Sequence, residues 1–273
     1  MWDLSELWTE TMSYILEAAC GCNMGKVRRN NEDNFFFDDR CLPVENTGLK
    51  KPVPAVFRLN RPMCVGVFDG MGGAENGETA AFLAARTLKE KVQLLDDFVI
   101  PERHFLLDVC DAMNRAIVET SDLELMGNMG STAVMALFGP HEVYVCNLGD
   151  SKAFRYRSGL FMQLSKDHND AKQLREQGMT DRRPRLTQHL GIDPELMKLE
   201  PYVAKGELKS GDWYLLCSDG LTDMVSNFAI VDTLHNSNTA EECVSRLIQL
   251  ALENGGRDNI TVIACRIKQE ERG

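Results

Sequence analysis

The residues of this sequence that could do chemistry are acidic residues at the ends of apolar segments. A single Asp-Gly or Asp-Asn pair is an ordinary turn signal, so the recurrence is more informative than any one position. The acidic residues are Glu32-Asp33 before "NFFF", Asp69 after "VGVF", Asp150 after "VCNLG", Asp219 after "YLLCS" and Asp258 before "NITVIA". In an antiparallel sheet, the end of one strand and the start of its neighbour share an edge. We therefore expect these side chains to gather at one rim.

Clustered carboxylates repel one another unless cations neutralise them. Ligand sets made only of oxygen suit the hard ions Mg²⁺ and Mn²⁺. No histidine accompanies these segments at a ligand-like spacing, which argues against a zinc site. The spacing therefore predicts a site for divalent cations.

The stretch "MCVGVFDGMGGAENG" offers a competing interpretation, because glycines after a strand can form a phosphate-binding loop. It fails the G-x-G-x-x-G pattern, since Glu75 stands at the last position, and it lacks the Gly-Lys-Ser/Thr of a P-loop. Asp69 would also repel a phosphate unless a metal intervened. We expect the strand to end at Phe68 and the glycines to let the chain turn. A nucleotide-binding module is the weaker hypothesis.

The elements that must position these residues are predicted as strands with helices in two batches. The predicted strands are 13–21, 53–59, 63–68, 131–138, 142–148, 151–159, 161–165, 213–218 and 259–267. Helical stripes start at Glu78 and at Pro101, and Thr239 with Glu242 forms a capping box for a third helix. The polar segment 167–212 is predicted to leave the core. This pattern indicates an α+β protein, with antiparallel sheets and helices packed outside them.

Composition narrows the class of protein. The 273 residues carry a net charge of −11, which argues against a nucleic-acid partner. No apolar run approaches the roughly 20 residues of a membrane helix, and the acidic N-terminus does not resemble a signal peptide. The nine cysteines contain no CxxC pair, which is typical of reduced thiols. We expect a cytoplasmic monomer that forms a single domain over residues 1–273.

Six motifs in order carry a family resemblance. They are "GKVRRNNEDNF" from Gly25, "FDGMGG" from Phe68, "GSTA" from Gly130, "NLGDSKAFRY" from Asn147, "CSDGLTDMV" from Cys217 and "GGRDNITVI" from Gly255. Together they resemble the metal-dependent protein serine/threonine phosphatases, the PPM or protein phosphatase type 2C family, in its bacterial form. The resemblance spans nearly the whole chain, and it implies a four-layer α-β-β-α sandwich around two central antiparallel sheets.

The resemblance also implies a centre of two Mn²⁺ or Mg²⁺ ions at one end of the sandwich. By motif, Asp69 would bridge the two ions and the carbonyl of Gly70 would add a ligand to one of them. Asp219 and Asp258 would complete the protein ligands of the first ion. In this family a water held between the ions attacks the phosphate, which agrees with the lack of a Ser or Cys nucleophile signature.

Other motif positions match further roles in the family. Asp33, with Glu32 near it, would serve the second ion directly or through water. Asp150 and Asp223 match positions of a third, weaker metal site. Arg28 matches the arginine that grips the substrate phosphate, and the excursion at 167–212 matches the variable flap beside the active site.

One departure concerns acid catalysis. Eukaryotic relatives often carry a histidine where this chain has Met71, and a thioether cannot transfer a proton, so the general acid stays unassigned. The "DRRPR" run at 181–185 is interpreted as solvated surface, with the steering of phosphopeptides as the less favoured alternative. A looser match in the flap, with Asn169 where a serine is usual, affects flap details and not the metal centre.

The resemblance implies hydrolysis of phosphoserine and phosphothreonine in proteins. The partners would be phosphorylated proteins and a bacterial Ser/Thr kinase that produces them, with neither nucleic acid nor membrane involved. The alternative is a phosphatase-fold regulatory protein that binds metal and a partner without turnover. Because every core ligand position is occupied by a suitable residue, the enzyme is the preferred interpretation.

Overall fold

The chain folds as two packed antiparallel sheets with helices on both outer faces. The structure is a computed structural model, and it describes residues 13–72, 76–95, 102–124, 129–179 and 181–270. Gly73, the last residue of the "FDGMGG" motif, and Pro101, the predicted start of the second helix, lie outside these ranges. The predicted α+β class with a four-layer α-β-β-α sandwich is confirmed.

The described part of the chain contains twelve strands and six helices. The strands are β1 (Tyr14–Asn23), β2 (Asp33–Phe36), β3 (Val53–Arg58), β4 (Met63–Gly72), β5 (Met129–Ser131), β6 (Ala133–Phe138), β7 (Glu142–Leu148), β8 (Lys152–Arg157), β9 (Leu160–Gln163), β10 (Tyr202–Glu207), β11 (Trp213–Cys217) and β12 (Ile260–Gln269). The helices are α1 (Gly77–Val92), α2 (Glu102–Glu124), α3 (Ala171–Glu176), α4 (Asp219–Thr222), α5 (Asn227–Asn236) and α6 (Ala240–Glu253).

Each sheet is built from antiparallel neighbours. The first sheet has the order β3-β1-β12-β11-β8-β9, and the second has the order β10-β7-β6-β4-β2, with β5 paired to the end of β4. The long pairing of β1 with β12 runs from Tyr14 opposite Gln269 to Asn23 opposite Ile260. The two ends of the described chain are thereby joined at the centre of the first sheet.

Apolar residues fill three layers between the four layers of structure. Along β6, Val134 and Ala136 face the other sheet, while Ala133 and Met135 face helices α1 and α2. The central strands are buried on both faces, and they therefore read as continuous apolar runs rather than as alternating ones. The remaining layer lies between the first sheet and helices α5 and α6. On α6 the Thr239 hydroxyl accepts the amide of Glu242 and caps the helix, as the sequence predicts.

The predicted end of a strand at Phe68 is wrong, because β4 continues to Gly72. Asp69 pairs with Asp33 of β2, and Gly70 pairs with Ser131 of β5. Asp and Gly have low strand propensity, but ladder pairing on both sides overrides that preference. Asp69 therefore lies within a strand that has neighbours, not in a free turn.

The excursion predicted over 167–212 is too long at its C-terminal end. β10 pairs with β7 as an edge strand of the second sheet, and Asp212 is fully buried against Arg157. An edge strand with one half-exposed face carries charges such as Lys205 and Glu207, so it reads as polar. Helices α3, α4 and α5 were not predicted from the sequence. No helix in the described part of the chain is both long and apolar enough to span a membrane.

Candidate metal centre

The acidic residues meet at one end of the sandwich, where both sheets contribute. Asp33 and Asp69 lie opposite each other on β2 and β4 of the second sheet. Asp219 begins α4 directly after β11, and Asp258 stands just before β12, the neighbour of β11 in the first sheet. Strand pairing thus brings together four aspartates that are far apart in the sequence.

Asp33 is the most deeply buried of the four and joins the two sheets. Its Oδ2 accepts hydrogen bonds from the hydroxyls of Ser218 and Thr261, each at 2.7 Å. Burial raises the pKa of the Asp33 carboxyl from 3.8 to about 7, the two hydroxyls oppose that rise, and the nearby charges of Asp219 and Asp258 add to it. The carboxylate is therefore held in place by neutral donors rather than by a cationic side chain.

Asp69 stands at the centre of the acidic group. Burial raises the pKa of its carboxyl, and repulsion from Asp33 and Asp219 raises it further. Its backbone amide donates to the hydroxyl of Thr132 at 3.1 Å, and its carbonyl accepts the amide of Thr132 at 2.8 Å. The Thr132 hydroxyl lies 2.7 Å from the hydroxyl of Ser151, so this contact also fixes the loop that carries Asp150.

Close backbone contacts explain two glycines of the site. A Cβ on Gly70 would lie 2.0 Å from the carbonyl oxygen of Gly77, at the start of α1. A Cβ on Gly220 would lie 1.9 Å from the carbonyl oxygen of Asn259. Neither glycine needs a left-handed conformation. The expected turn role of Gly70 is therefore wrong, and the residue is small because another backbone segment passes against it.

Arg28 reaches the same rim from the loop that follows β1. Its Nη2 donates to Oδ2 of Asp258 at 2.6 Å. The side chain of Asn259 holds this loop, because its amide donates to the carbonyls of Met24 and Asn30, and its oxygen accepts the amide of Glu32. Arg28 is half-buried, whereas Arg29 is exposed.

The remaining predicted positions lie around this centre. The half-buried Glu32 accepts a hydrogen bond from Asn30 at 3.2 Å, and its carboxyl carbon would lie 3.0 Å from a Cβ placed on Gly77. Burial raises the pKa of Asp150, and Lys152 opposes that rise. Asp223 is exposed at the C-terminal end of α4. These residues form the margin of the acidic group rather than its middle.

Arg183 also contacts the site, although the run that contains it was interpreted as solvated surface. Its Nη2 lies 3.3 Å from Oδ2 of Asp219 and 3.7 Å from Oδ2 of Asp258. The side chain is 71% exposed, so the guanidinium covers the acidic group from the solvent side. Arg183 is therefore solvated, as interpreted from the sequence, but its ion pairs with the acidic group were not predicted.

The donor atoms fit a hard divalent ion by type. Asp33, Asp69, Asp219 and Asp258 offer carboxylate oxygens, which Mg²⁺ and Mn²⁺ prefer. Within the described ranges, no three His, Cys, Asp or Glu side chains form a complete metal cage. Oδ2 of Asp258 accepts from Arg28, and Oδ2 of Asp33 accepts from two hydroxyls. A cation here would compete with guanidinium groups for the same oxygens.

Sequence reasoning missed the residues that hold this group together. These residues are Ser218, Asn259 and Thr261, and each stands within three positions of a motif aspartate. Their roles depend on contacts with residues that are separated from them by 185 to 228 positions in the sequence. Adjacency to Asp219 and Asp258 was the only available signal. Nothing in the "DRRPR" run separates Arg183 from its neighbours in the sequence.

The sequence is similar to a known protein family and to individual proteins. The sequence model of the family described as Protein phosphatase 2C matches residues 58–260. The serine/threonine protein phosphatase PstP of Mycobacterium tuberculosis is 30% identical over 268 residues, which cover 96% of this chain and 47% of PstP. The chain thus spans about half the length of PstP. The serine/threonine phosphatase stp of Listeria monocytogenes is 30% identical over 91% of this chain and 95% of its own length.

Solved structures agree with the sequence matches. The crystal structure of the Mycobacterium tuberculosis phosphatase PstP/Ppp superposes with a TM-score of 0.76 at 29% identity, covering 93% of this chain and 99% of that chain. The catalytic domain of PstP in complex with two manganese ions gives a TM-score of 0.74 at 28% identity, with the same coverage.

Proposed function

The chain belongs to the protein phosphatase 2C family, and from this we propose that it hydrolyses phosphoserine and phosphothreonine in proteins. The observation that carries the proposal is the convergence of Asp33, Asp69, Asp219 and Asp258 with Arg28 at one rim. Family membership supports the reaction class. The acidic group with an arginine beside it supports a site in which cations and a guanidinium together hold a phosphate.

We propose that two Mn²⁺ or Mg²⁺ ions bind at this rim. Asp69 and the carbonyl of Gly70, with Asp219 and Asp258, would hold the first ion, and Asp69 with Asp33 would hold the second. Glu32 would act through water. When bound, such ions supply a water of lowered pKa as nucleophile and positive charge for the phosphoryl oxygens. A third ion near Asp150 and Asp223 is a weaker part of the proposal, because Lys152 already places an ammonium group beside this pair.

The residues of the chain position the reactants. Arg28 gives one Nη2 contact to Asp258 at 2.6 Å, and a guanidinium has several N–H donors, so donors remain for two phosphoryl oxygens. Ser218 and Thr261 fix the carboxylate of Asp33 in one orientation. Met71 carries no transferable proton, so protonation of the leaving oxygen must come from another group or from water.

Partners and context follow from this activity. The substrates would be phosphorylated proteins, with a bacterial Ser/Thr kinase as the source of the phosphate. We propose that residues 1–273 form one catalytic domain, with the segment that precedes β10 as its flap, and that it acts as a monomer in the cytoplasm. The net charge of −11 supports a protein rather than a nucleic-acid partner.

The alternative is a regulatory protein that binds metal and a partner without turnover. Hydrolysis of p-nitrophenyl phosphate and of a phosphothreonine peptide with Mn²⁺, with and without EDTA, separates the two functions. Asp69→Asn should lose at least about a hundredfold in rate, since even residues behind the ligands of a metal cost 10–100-fold. Asp181→Asn, an exposed carboxylate in the flap, is the matched control. Metal-independent activity, or an unimpaired Asp69→Asn, would exclude the proposed enzyme.

A further inference from the structure

Arg183 approaches the acidic group from outside the elements that form it. It lies in the segment between β9 and β10, whereas its contacts are Asp219, which begins α4, and Asp258, which precedes β12. A surface arginine is usually solvated and contributes little to stability. This one instead spans two carboxylates from different motifs.

Arg183 and Arg28 converge on a single atom. Oδ2 of Asp258 lies 2.6 Å from Nη2 of Arg28 and 3.7 Å from Nη2 of Arg183. One guanidinium comes from the loop after β1 and the other from the flap, so the two cations approach the rim from separate segments. Two guanidinium groups that approach the same carboxylate oxygen also lie close enough together to bind an anion with several oxygens, such as a phosphate.

The local chain fixes where Arg183 can reach. Pro184 follows it and restricts its backbone to extended conformations. Two residues later, the amide of Arg185 donates to Oδ1 of Asp170 at 2.7 Å, and its carbonyl accepts the amide of Asp170 at 3.0 Å. The amide of Thr187 donates to the carbonyl of His168 at 2.8 Å. The amide of His168 in turn donates to the carbonyl of Gly149 at 3.0 Å, so the backbone that carries the guanidinium is anchored close to Asp150.

The neighbouring arginines provide a contrast within the same run. Arg182 and Arg185 are exposed, and across the described ranges neither side chain forms an ion pair. Arg183 differs from them in position and not in charge. A role for this residue that depends on its position can thus be separated from a general effect of positive charge.

We propose that Arg183 is a second phosphate-binding residue, which grips the substrate phosphoryl group together with Arg28. The inference rests on the proposed function, because it names a substrate contact of the same site. A phosphate that approaches the rim meets several carboxylates and a chain of net charge −11, so an additional cation at the solvent side lowers the electrostatic cost of its entry. The flap then contributes directly to substrate binding.

The test measures binding of inorganic phosphate by calorimetry with saturating Mg²⁺, so that it does not depend on turnover. The variants are Arg183→Ala, Arg183→Lys and the matched control Arg182→Ala, and each is first titrated with Mg²⁺ alone. Arg183→Ala should weaken phosphate binding about tenfold, the size of one lost charge-assisted hydrogen-bonding contact. Arg183→Lys should recover part of the loss, and Arg182→Ala should bind as the wild type does. The KM for a phosphothreonine peptide should rise in Arg183→Ala more than kcat falls.

Three results would overturn the inference. In the first, Arg183→Ala binds phosphate as tightly as the wild type does, whether or not it binds Mg²⁺ more tightly. The guanidinium would then only neutralise the charge of the carboxylates. Arg182→Ala could lose as much affinity as Arg183→Ala, which would indicate a diffuse charge effect. The wild type could bind no phosphate. Phosphate binding that depends on Arg183 in a protein without hydrolysis would instead support the inference and reject the proposed enzyme.

Discussion

Asp33 lies directly opposite Asp69 across the antiparallel pair of β2 and β4, so that their side chains point to the same face. Like charges placed directly opposite destabilise a sheet, and burial adds to the cost. Burial is the main cause that raises the pKa of both carboxyls, that of Asp33 to about 7, and the charge of Asp33 raises the pKa of Asp69 further. The fold keeps an unfavourable pair of acids at the position where a cation would relieve it.

The first prediction concerns the pH dependence of the metal-free protein. A carboxyl whose folded-state pKa is raised binds more protons in the folded than in the unfolded protein, so stability falls as pH rises between the two pKa values. For Asp33 this window runs from 3.8 to about 7. The free energy of unfolding can be measured by urea titration in EDTA from about pH 5 to about pH 8. The contribution of Asp33 to it should decrease as pH rises across this range.

Asp33→Asn isolates that contribution, because the amide oxygen can still accept from Ser218 and Thr261 but does not titrate. The variant should be more stable than the wild type at the upper end of the pH range, and the difference should shrink towards the lower end. A difference that is constant with pH, or that grows as pH falls, would contradict the raised pKa. The exposed Asp232→Asn on α5 serves as a neutral comparison.

A second prediction concerns metal binding itself. An ion that binds only the folded protein stabilises it by ~2.7 kcal/mol at about one hundred times its Kd. Mn²⁺ should therefore raise the Tm of the wild type, and EDTA should reverse the rise. Asp219→Asn removes one of the proposed ligands and should lose most of the shift, whereas Asp232→Asn should keep it. An equal Mn²⁺ shift in Asp219→Asn would place the ion elsewhere.

The fold was predictable where long apolar runs specify buried strands. The segments that became β6, β7, β11 and β12 are buried along nearly their whole length, and their sequence shows it. β10 was missed because it is an edge strand with charged residues on its exposed face. The extension of β4 through Asp69 was missed because strand pairing, and not propensity, maintains it.

The site was predictable to the level of its charged residues. The aspartates could be found because each stands at the end of an apolar run, and topology alone then gathers them. Their supports could not be found, because the contact of Asp33 with Ser218 depends on how two sheets stack. Arg183 could not be separated from Arg182 and Arg185, since the distinction depends on where an irregular segment returns to the core.

A third prediction addresses Asn259, which anchors the loop that carries Arg28. Asn259→Ala would leave the amide of Glu32 and the carbonyls of Met24 and Asn30 without their partner. Leaving a fully buried polar group unsatisfied costs about 1–3 kcal/mol, and because these groups are only partly buried, urea unfolding should show a loss within that range. The KM for a phosphopeptide should rise because Arg28 is no longer held in place.

Asn254→Ala is the matched control for that variant. Asn254 donates one side-chain hydrogen bond, to the carbonyl of Met224, and it is exposed. Its loss should cost no more than about 1 kcal/mol and leave KM unchanged. If Asn259→Ala destabilises the protein but leaves KM as in the wild type, Asn259 supports the fold without positioning Arg28.

The last prediction concerns Gly70, whose Cα faces the carbonyl of Gly77. In Gly70→Ala the new methyl group would lie 2.0 Å from that oxygen, and a backbone oxygen cannot move aside as a flexible side chain can. Overpacking of this kind costs about 3 kcal/mol, and in a chain of this size each kcal/mol lowers Tm by about 2–4 °C. The strand that carries Asp69 must shift, and a displacement near 1 Å can cost about a hundredfold in rate.

Gly206→Ala on β10 is the control, because the nearest atom to its Cβ lies 3.8 Å away. We expect it to retain both stability and activity, whereas Gly70→Ala loses both. A Gly70→Ala variant with wild-type Tm and rate would show that α1 does not press against β4 at this point.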